Sequence, residues 1–192
     1  MGRPIEAEVK VLCAEASALI ERHPEFGWTV VEPRHLEDNY VFELPGEALK
    51  NRGSILRLRV VDDRATLTYK GMLPESATSA MKVREELETD VGRPEVLRMI
   101  LERLGLACSF RYQKYRTTYR LETSRGTVLA MRDETPMGDF LELEGDEETV
   151  EDVARALGFV RSEYINTSYI GLQAERCRRR GIPLEDLIFS DL

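Results

Sequence analysis

Residues 5–11 read IEAEVKV, and the direction in which this strand turns its charges decides the fold. Glu6, Glu8 and Lys10 fall on one side of an extended segment, and Ala7, Val9 and Val11 fall on the other. A half-buried strand ordinarily gives its charged side to water. If the charged side faces inward, the protein keeps a polar interior, which is costly unless a ligand satisfies it.

The pattern recurs along the chain. In ILRLRV (55–60) Arg57 and Arg59 oppose Leu56, Leu58 and Val60, and in TLTYKG (66–71) Thr66, Thr68 and Lys70 oppose Leu67 and Tyr69. AMKVREELET (80–89) sets Lys82, Arg84, Glu86 and Glu88 against Met81, Val83 and Leu87. YQKYRTTYR (112–120) carries Lys114 and Arg116 around Tyr115, and DFLELEG (139–145) carries Glu142 and Glu144 against Leu141 and Leu143. For any one strand a solvated face is the ordinary reading. The set argues otherwise, because like charges recur at i and i+2, and a pair such as Arg57 and Arg59 repels across about 7 Å with no opposite charge in its own strand to cancel it. Such rows suit a multivalent ligand lying between them. Arginine forks and lysine point charges would grip a polyanion, and paired carboxylates would hold a divalent cation.

Composition narrows the setting. The chain has 192 residues, 42% hydrophobic and 32% charged, enough for one domain with a sizeable core. A formal net charge of −8 argues against a general nucleic-acid binder, which needs a basic face. Cys13, Cys108 and Cys177 are too few and too scattered for a disulfide framework or a zinc site. His23 and His35 stand in poor catalytic context. No apolar run is long enough to span a bilayer and no signal-peptide core opens the chain, so a cytoplasmic protein without membrane contact is expected.

The segments between the charged strands read as helices and turns. CAEASALIERHP, EALKNRG, RPEVLRMILERLG and EETVEDVARALG have helical character, the last capped by Asp146 and closed at Gly158. WTVVEPRHLEDNYVFELP reads as extended segments broken at Pro33, residues 72–80 as a polar loop, and Ser124-Arg125-Gly126 as a hairpin turn. The tail, NTSYIGLQAERCRRRG followed by PLEDLIF, reads as helical, with the basic cluster Arg176, Arg178, Arg179 and Arg180 on an exposed face. About eight strands with helices between some of them indicate an α+β domain or a barrel with attached helices.

In order, Glu6-Ala7-Glu8-Val9-Lys10, Arg57-Leu58-Arg59, Leu67-Thr68-Tyr69-Lys70-Gly71, Arg84-Glu85-Glu86-Leu87-Glu88, Lys114 with Arg116, Asp133-Glu134 and Leu141-Glu142-Leu143-Glu144 form a series. This series resembles the CYTH superfamily, the triphosphate tunnel metalloenzymes, which includes class IV adenylyl cyclases and thiamine triphosphatases. The resemblance implies an α+β fold built on an eight-stranded antiparallel β-barrel, the triphosphate tunnel, with surrounding helices. It would occupy residues 1–175, with residues 176–192 as a helical tail packed on or beside the same domain. By the same resemblance, Glu6, Glu8, Asp133, Glu142 and Glu144 would ligate Mg²⁺ or Mn²⁺. Lys10, Arg57, Arg59, Lys70, Arg84, Lys114 and Arg116 would bind the triphosphate, with Glu6, Glu8 and Lys10 the catalytic group. Where many members carry a lysine before a late Ser-Tyr, this chain has Asn166-Thr167.

The implied activity is hydrolysis of a nucleotide, organic or inorganic triphosphate such as ATP, thiamine triphosphate or tripolyphosphate. The alternatives are a class IV adenylyl cyclase making cyclic AMP and pyrophosphate, and a non-catalytic polyphosphate-binding module. A homodimer is among the states the resemblance allows. Arg57, Arg59 and Glu142 on an outer surface would refute the tunnel reading.

Overall fold

The computed structural model of the chain describes residues 5–72 and 82–190, and the side chains of all of these except Ile5, Glu6, Met72, Lys82, Val83 and Arg84. The expected roles of the Glu6 and Arg84 side chains, and most of the loop expected at 72–80, lie outside the described residues.

Eight antiparallel strands form a closed barrel. They are β1 (Ile5–Leu12), β2 (Thr29–Glu43), β3 (Ile55–Val61), β4 (Arg64–Met72), β5 (Lys82–Asp90), β6 (Ala107–Thr123), β7 (Gly126–Thr135) and β8 (Gly138–Gly145). Around the ring the order is β1-β5-β4-β3-β2-β6-β7-β8, and β8 returns to β1 with Lys10 opposite Glu142 and Glu8 opposite Glu144. Among the described residues five α-helices accompany it: α1 (Ala16–Arg22), α2 (Ala48–Asn51), α3 (Pro94–Arg103), α4 (Glu147–Ala156) and α5 (Tyr169–Arg180).

The apolar rows face outward, and helices cover them. Ala7, Val9 and Val11 of β1 join Leu141 and Leu143 of β8 and Val128 and Ala130 of β7 in one buried cluster, which also takes in Val150, Val153 and Ala154 of α4 and Leu157 just beyond it. The spacing 150, 153, 154 and 157 puts these four on one stripe of the helix. Asp146 caps α4 as expected, accepting from the Thr149 N–H at 3.2 Å. A second outer cluster joins Phe42, Leu58 and Ala65 to Leu101 of α3, with Tyr40, Leu56, Val60 and Leu67 packed around it. With the apolar rows spent on these outer contacts, strand alternation turns the charged rows inward.

A third cluster closes off one end of the interior. Val41, Phe110, Tyr112 and Phe140 pack with Tyr169, the first residue of α5, where β1 finishes and β8 begins. Phe140 meets the Tyr169 ring edge-on, with centroids 5.3 Å apart.

Two local expectations are corrected. Pro33 does not break the chain: β2 runs through it, and the pairing with β6 slips between Val30 and Glu32 and between Glu32 and His35. Proline has no N–H to give a ladder, and a bulge leaves that position unpaired. The tail is helical only to Arg180. Beyond it Leu187 bridges to Tyr112 of β6 instead, with Gln113 N–H donating to the Leu187 carbonyl at 2.8 Å and Leu187 N–H to that of Arg111 at 2.9 Å. β7 pairs β6 only from Tyr115 onward, so Arg111 to Gln113 offer a free edge, and the tail caps it.

Candidate active site

The inner rows enclose a cavity of about 480 Å³, within the roughly 300–1,000 Å³ of small-molecule sites. Among the described residues six cationic side chains line it, Lys10, Arg57, Arg59, Lys70, Lys114 and Arg116, and six carboxylates, Glu8, Glu32, Glu86, Glu88, Glu142 and Glu144. Val41, Ile55, Tyr112, Tyr169 and Ile170 form its apolar end. Glu37 and Asp133 are buried among the basic residues of the wall. Of the twelve residues singled out from sequence, ten have described side chains, and all ten belong to this one interior.

Each strand supplies its residues by simple alternation. Lys10 of β1 lies with Nζ 3.0 Å from Glu142 of β8 and 3.6 Å from Glu8. Burial alone would lower its pKa, but Glu142, Glu8 and Asp133 outweigh burial and hold the ammonium above its usual value. Glu142 also accepts from Arg116. Burial would raise the Glu142 carboxyl; Lys10, Arg116 and Lys114 instead keep it well below the usual carboxylate range.

Asp133 of β7 is wholly buried and takes Lys114 Nζ at 2.8 Å, Arg116 Nε and Nη2 at 2.6 Å each, and the Tyr169 hydroxyl at 2.7 Å. Three of these bonds fall on Oδ2 and one on Oδ1, so the carboxylate is the shared counter-ion of Lys114 and Arg116. Lys70 of β4 pairs with Glu86 of β5 at 2.6 Å.

Sequence reasoning missed several residues of this interior. Glu37 of β2 pairs with Arg59 at 3.3 Å and Lys114 at 3.4 Å. Burial would raise its pKa, but Lys114, Arg116, His35 and Arg59 hold it well below the usual range. The Tyr112 hydroxyl accepts from Arg57 at 3.4 Å, and Thr68 links Arg57 to Glu88. Only the Arg-x-Glu-x-Glu alternation pointed to Glu86 and Glu88. Asp38, which the sequence set beside Asn39, points outward and binds Arg111 at 2.7 Å.

A carboxylate depressed by buried cations stabilises the fold above its unfolded pKa and loses that contribution as pH falls through its folded value. Glu37 is such a group, so the melting temperature is expected to fall on acidification below about pH 4. Glu37→Gln is expected to lower the melting temperature at neutral pH and flatten that acid limb, as melting curves from pH 7 to 3 would record. An unchanged limb in the variant contradicts this assignment.

The wall has the donors a divalent cation takes. Among the described residues no three His, Cys, Asp or Glu side chains are gathered into a ready cage. Glu8 and Glu144 nevertheless stand opposite each other across β1 and β8 on the cavity side. Hard carboxylate oxygens of this kind suit Mg²⁺ or Mn²⁺.

Residues 4–168 match the CYTH domain. The chain belongs to the CYTH family. Members of this family bind triphosphate substrates and in general depend on a divalent metal. No curated protein matches the chain closely enough to count as a relative. Among solved structures, a Pyrococcus horikoshii protein is 24% identical over 87% of this chain and 98% of its own, with a TM-score of 0.70. A Vibrio parahaemolyticus protein described as a candidate adenylate cyclase is 17% identical over 88% of this chain and 97% of its own, with a TM-score of 0.72. A Hippeastrum candidate adenylyl cyclase, described as having a dominant triphosphatase activity, is 19% identical over 94% and 97%, with a TM-score of 0.61. At these identities the likeness is one of fold. No described helix of this CYTH protein is long and apolar enough to cross a membrane.

Proposed function

We propose that this CYTH protein is a divalent-metal-dependent triphosphatase that binds its substrate's triphosphate inside the barrel. The observation that carries the reading is the mixed lining: among the described residues six cations and six carboxylates line one cavity. A bare triphosphate would meet as many repelling groups as attracting ones. A triphosphate that arrives with a divalent cation matches both halves.

The division of labour follows from position. Lys10, Arg57, Arg59, Lys70, Lys114 and Arg116 bind phosphoryl oxygens, drawn from their present carboxylate partners by the more highly charged anion, and the family resemblance would add Arg84. Glu8 and Glu144, with Glu142, hold the cation, and the family resemblance would add Glu6. Bound there, Mg²⁺ or Mn²⁺ would neutralise phosphoryl charge and acidify a water for in-line attack on phosphorus. The residues themselves orient the chain of phosphates and stabilise charge, so no side-chain nucleophile is required. Tyr169 and its aromatic neighbours exclude water at the closed end.

Product analysis tests the reading. Incubated with ATP and Mg²⁺ or Mn²⁺, the protein is expected to release orthophosphate and ADP. Cyclic AMP with pyrophosphate would establish the cyclase instead, and binding without turnover the polyphosphate-binding module. Arg57→Ala is expected to raise KM for the triphosphate about tenfold or more, the loss of a hydrogen bond to a charged group. An unchanged KM removes Arg57 from the site.

A further inference from the structure

Asn39 belongs to the inner row of β2, between Glu37 and Val41, and stands opposite Arg59 of β3 and Tyr112 of β6. It is completely buried, and neither its Nδ2 nor its Oδ1 meets a hydrogen-bond partner among the described residues. A buried amide left unmet on both sides is costly, and leucine would fill the same space without that cost. Something other than packing accounts for an asparagine here.

Its neighbour Arg57 has a matching deficit. Lys10, Arg59, Lys70, Lys114 and Arg116 each have a carboxylate within 3.4 Å. Arg57 instead pairs with Glu88 at 3.8 Å, and its hydrogen bonds go to the neutral hydroxyls of Tyr112 and Thr68 at 3.4 and 3.3 Å. Arg57 Nε has no partner among the described residues. Arg57 lies opposite Val41, two residues along from Asn39, so the two are diagonal neighbours across one strand pair, about 7 Å apart at the backbone. A buried cation whose hydrogen bonds go only to neutral hydroxyls, and whose carboxylate partner stands off at 3.8 Å, has room for a closer anion.

We propose that Asn39, which lies behind the cavity lining in the unliganded wall, is a further binding residue, donating from Nδ2 to a non-bridging oxygen of the phosphoryl group that docks on Arg57 once the surrounding cations turn from their carboxylates to the ligand. This rests on the functional reading above and names a contact that reading does not contain. Asn39 Oδ1 then serves as the acceptor that holds the amide with its N–H groups toward the phosphate, taking a hydrogen bond from water or from the Arg57 Nε–H. Phosphoryl oxygens only accept, so a carboxylate in the same place would repel the ligand and pair with Arg57 in its stead.

The experiment is a thermal-shift titration with tripolyphosphate and Mg²⁺ on wild type, Asn39→Leu and Asn39→Asp. Asn39→Leu is expected to melt at or above the wild-type temperature without ligand, yet to need about tenfold more tripolyphosphate for the same shift. Asn39→Asp is expected to need more still. Wild type that responds while both variants respond equally well overturns this inference and leaves the functional reading standing. Wild type that shows no response overturns both. Should Asn39→Leu fail to fold, Asn39→Asp decides alone: undiminished affinity overturns the proposal and weakened affinity supports it.

Discussion

Asp133→Asn is expected to lower the melting temperature by on the order of 10 °C, because it takes the charge from the one buried group that Lys114, Arg116 and Tyr169 share. Asparagine keeps the shape and can still accept from the tyrosine, but it no longer answers two buried cations. Breaking a buried ion pair from one side costs about 3–5 kcal/mol, since the remaining charges stay out of water without compensation. Lys114 would fall back on Glu37 at 3.4 Å, and Arg116 on Glu142. Tripolyphosphate with metal should restore part of the loss, since the ligand supplies the missing negative charge. A melting curve within two degrees of wild type would show that Asp133 is not the internal counter-ion its contacts describe. If the variant keeps its stability but needs more metal for activity, Asp133 acts on the cation, the role the family resemblance gives it.

The second large effect is on turnover. Glu8→Gln and Glu144→Gln should each reduce metal-dependent hydrolysis by at least about 100-fold, the loss of a hard oxygen ligand from the cation that carries the charge of the reaction. Their folding should change little. Glu8 is partly open to the cavity, with 21% of its side chain exposed, and Glu144 is only half-buried, so neither substitution strands a deeply buried charge. The contrast with Asp133 is the useful part: on the proposed reading one carboxylate holds the wall together, and two hold the cation that enters it. Raised metal concentration should recover some of the lost rate. Activity within threefold of wild type at limiting Mg²⁺ would remove both residues from the cation site.

The charged rows could be read directly because the opposite rows are so uniformly apolar. Val9 and Val11, Leu58, Leu141 and Leu143 leave their strands one way to pack, against helices, and Lys10, Arg57, Arg59, Glu142 and Glu144 then have only the interior. Glu37 and Asn39 were hidden for a local reason. β2 carries two register shifts upstream of them, so its alternation cannot be phased from the WTVVEPRHLEDNYVFE sequence alone. The pairing of each cation with a carboxylate was hidden for a different reason. Lys114 and Asp133 meet at 2.8 Å through the pairing of β6 with β7, whose register the spacing alone does not give, and Lys10 and Glu142 meet at 3.0 Å only where β8 closes onto β1. The tail misled because PLEDLIF has helical spacing, while the unpaired edge of β6 that captures it is a tertiary feature.

Phosphorus NMR of tripolyphosphate in the presence of the protein, with Mg²⁺ or Mn²⁺ and again with excess chelator, tests the central claim most directly. Conversion to pyrophosphate and orthophosphate with metal, and none with chelator, is the expected result. Tripolyphosphate that stays intact and unbound with either metal, beside a correctly folded protein, would contradict it.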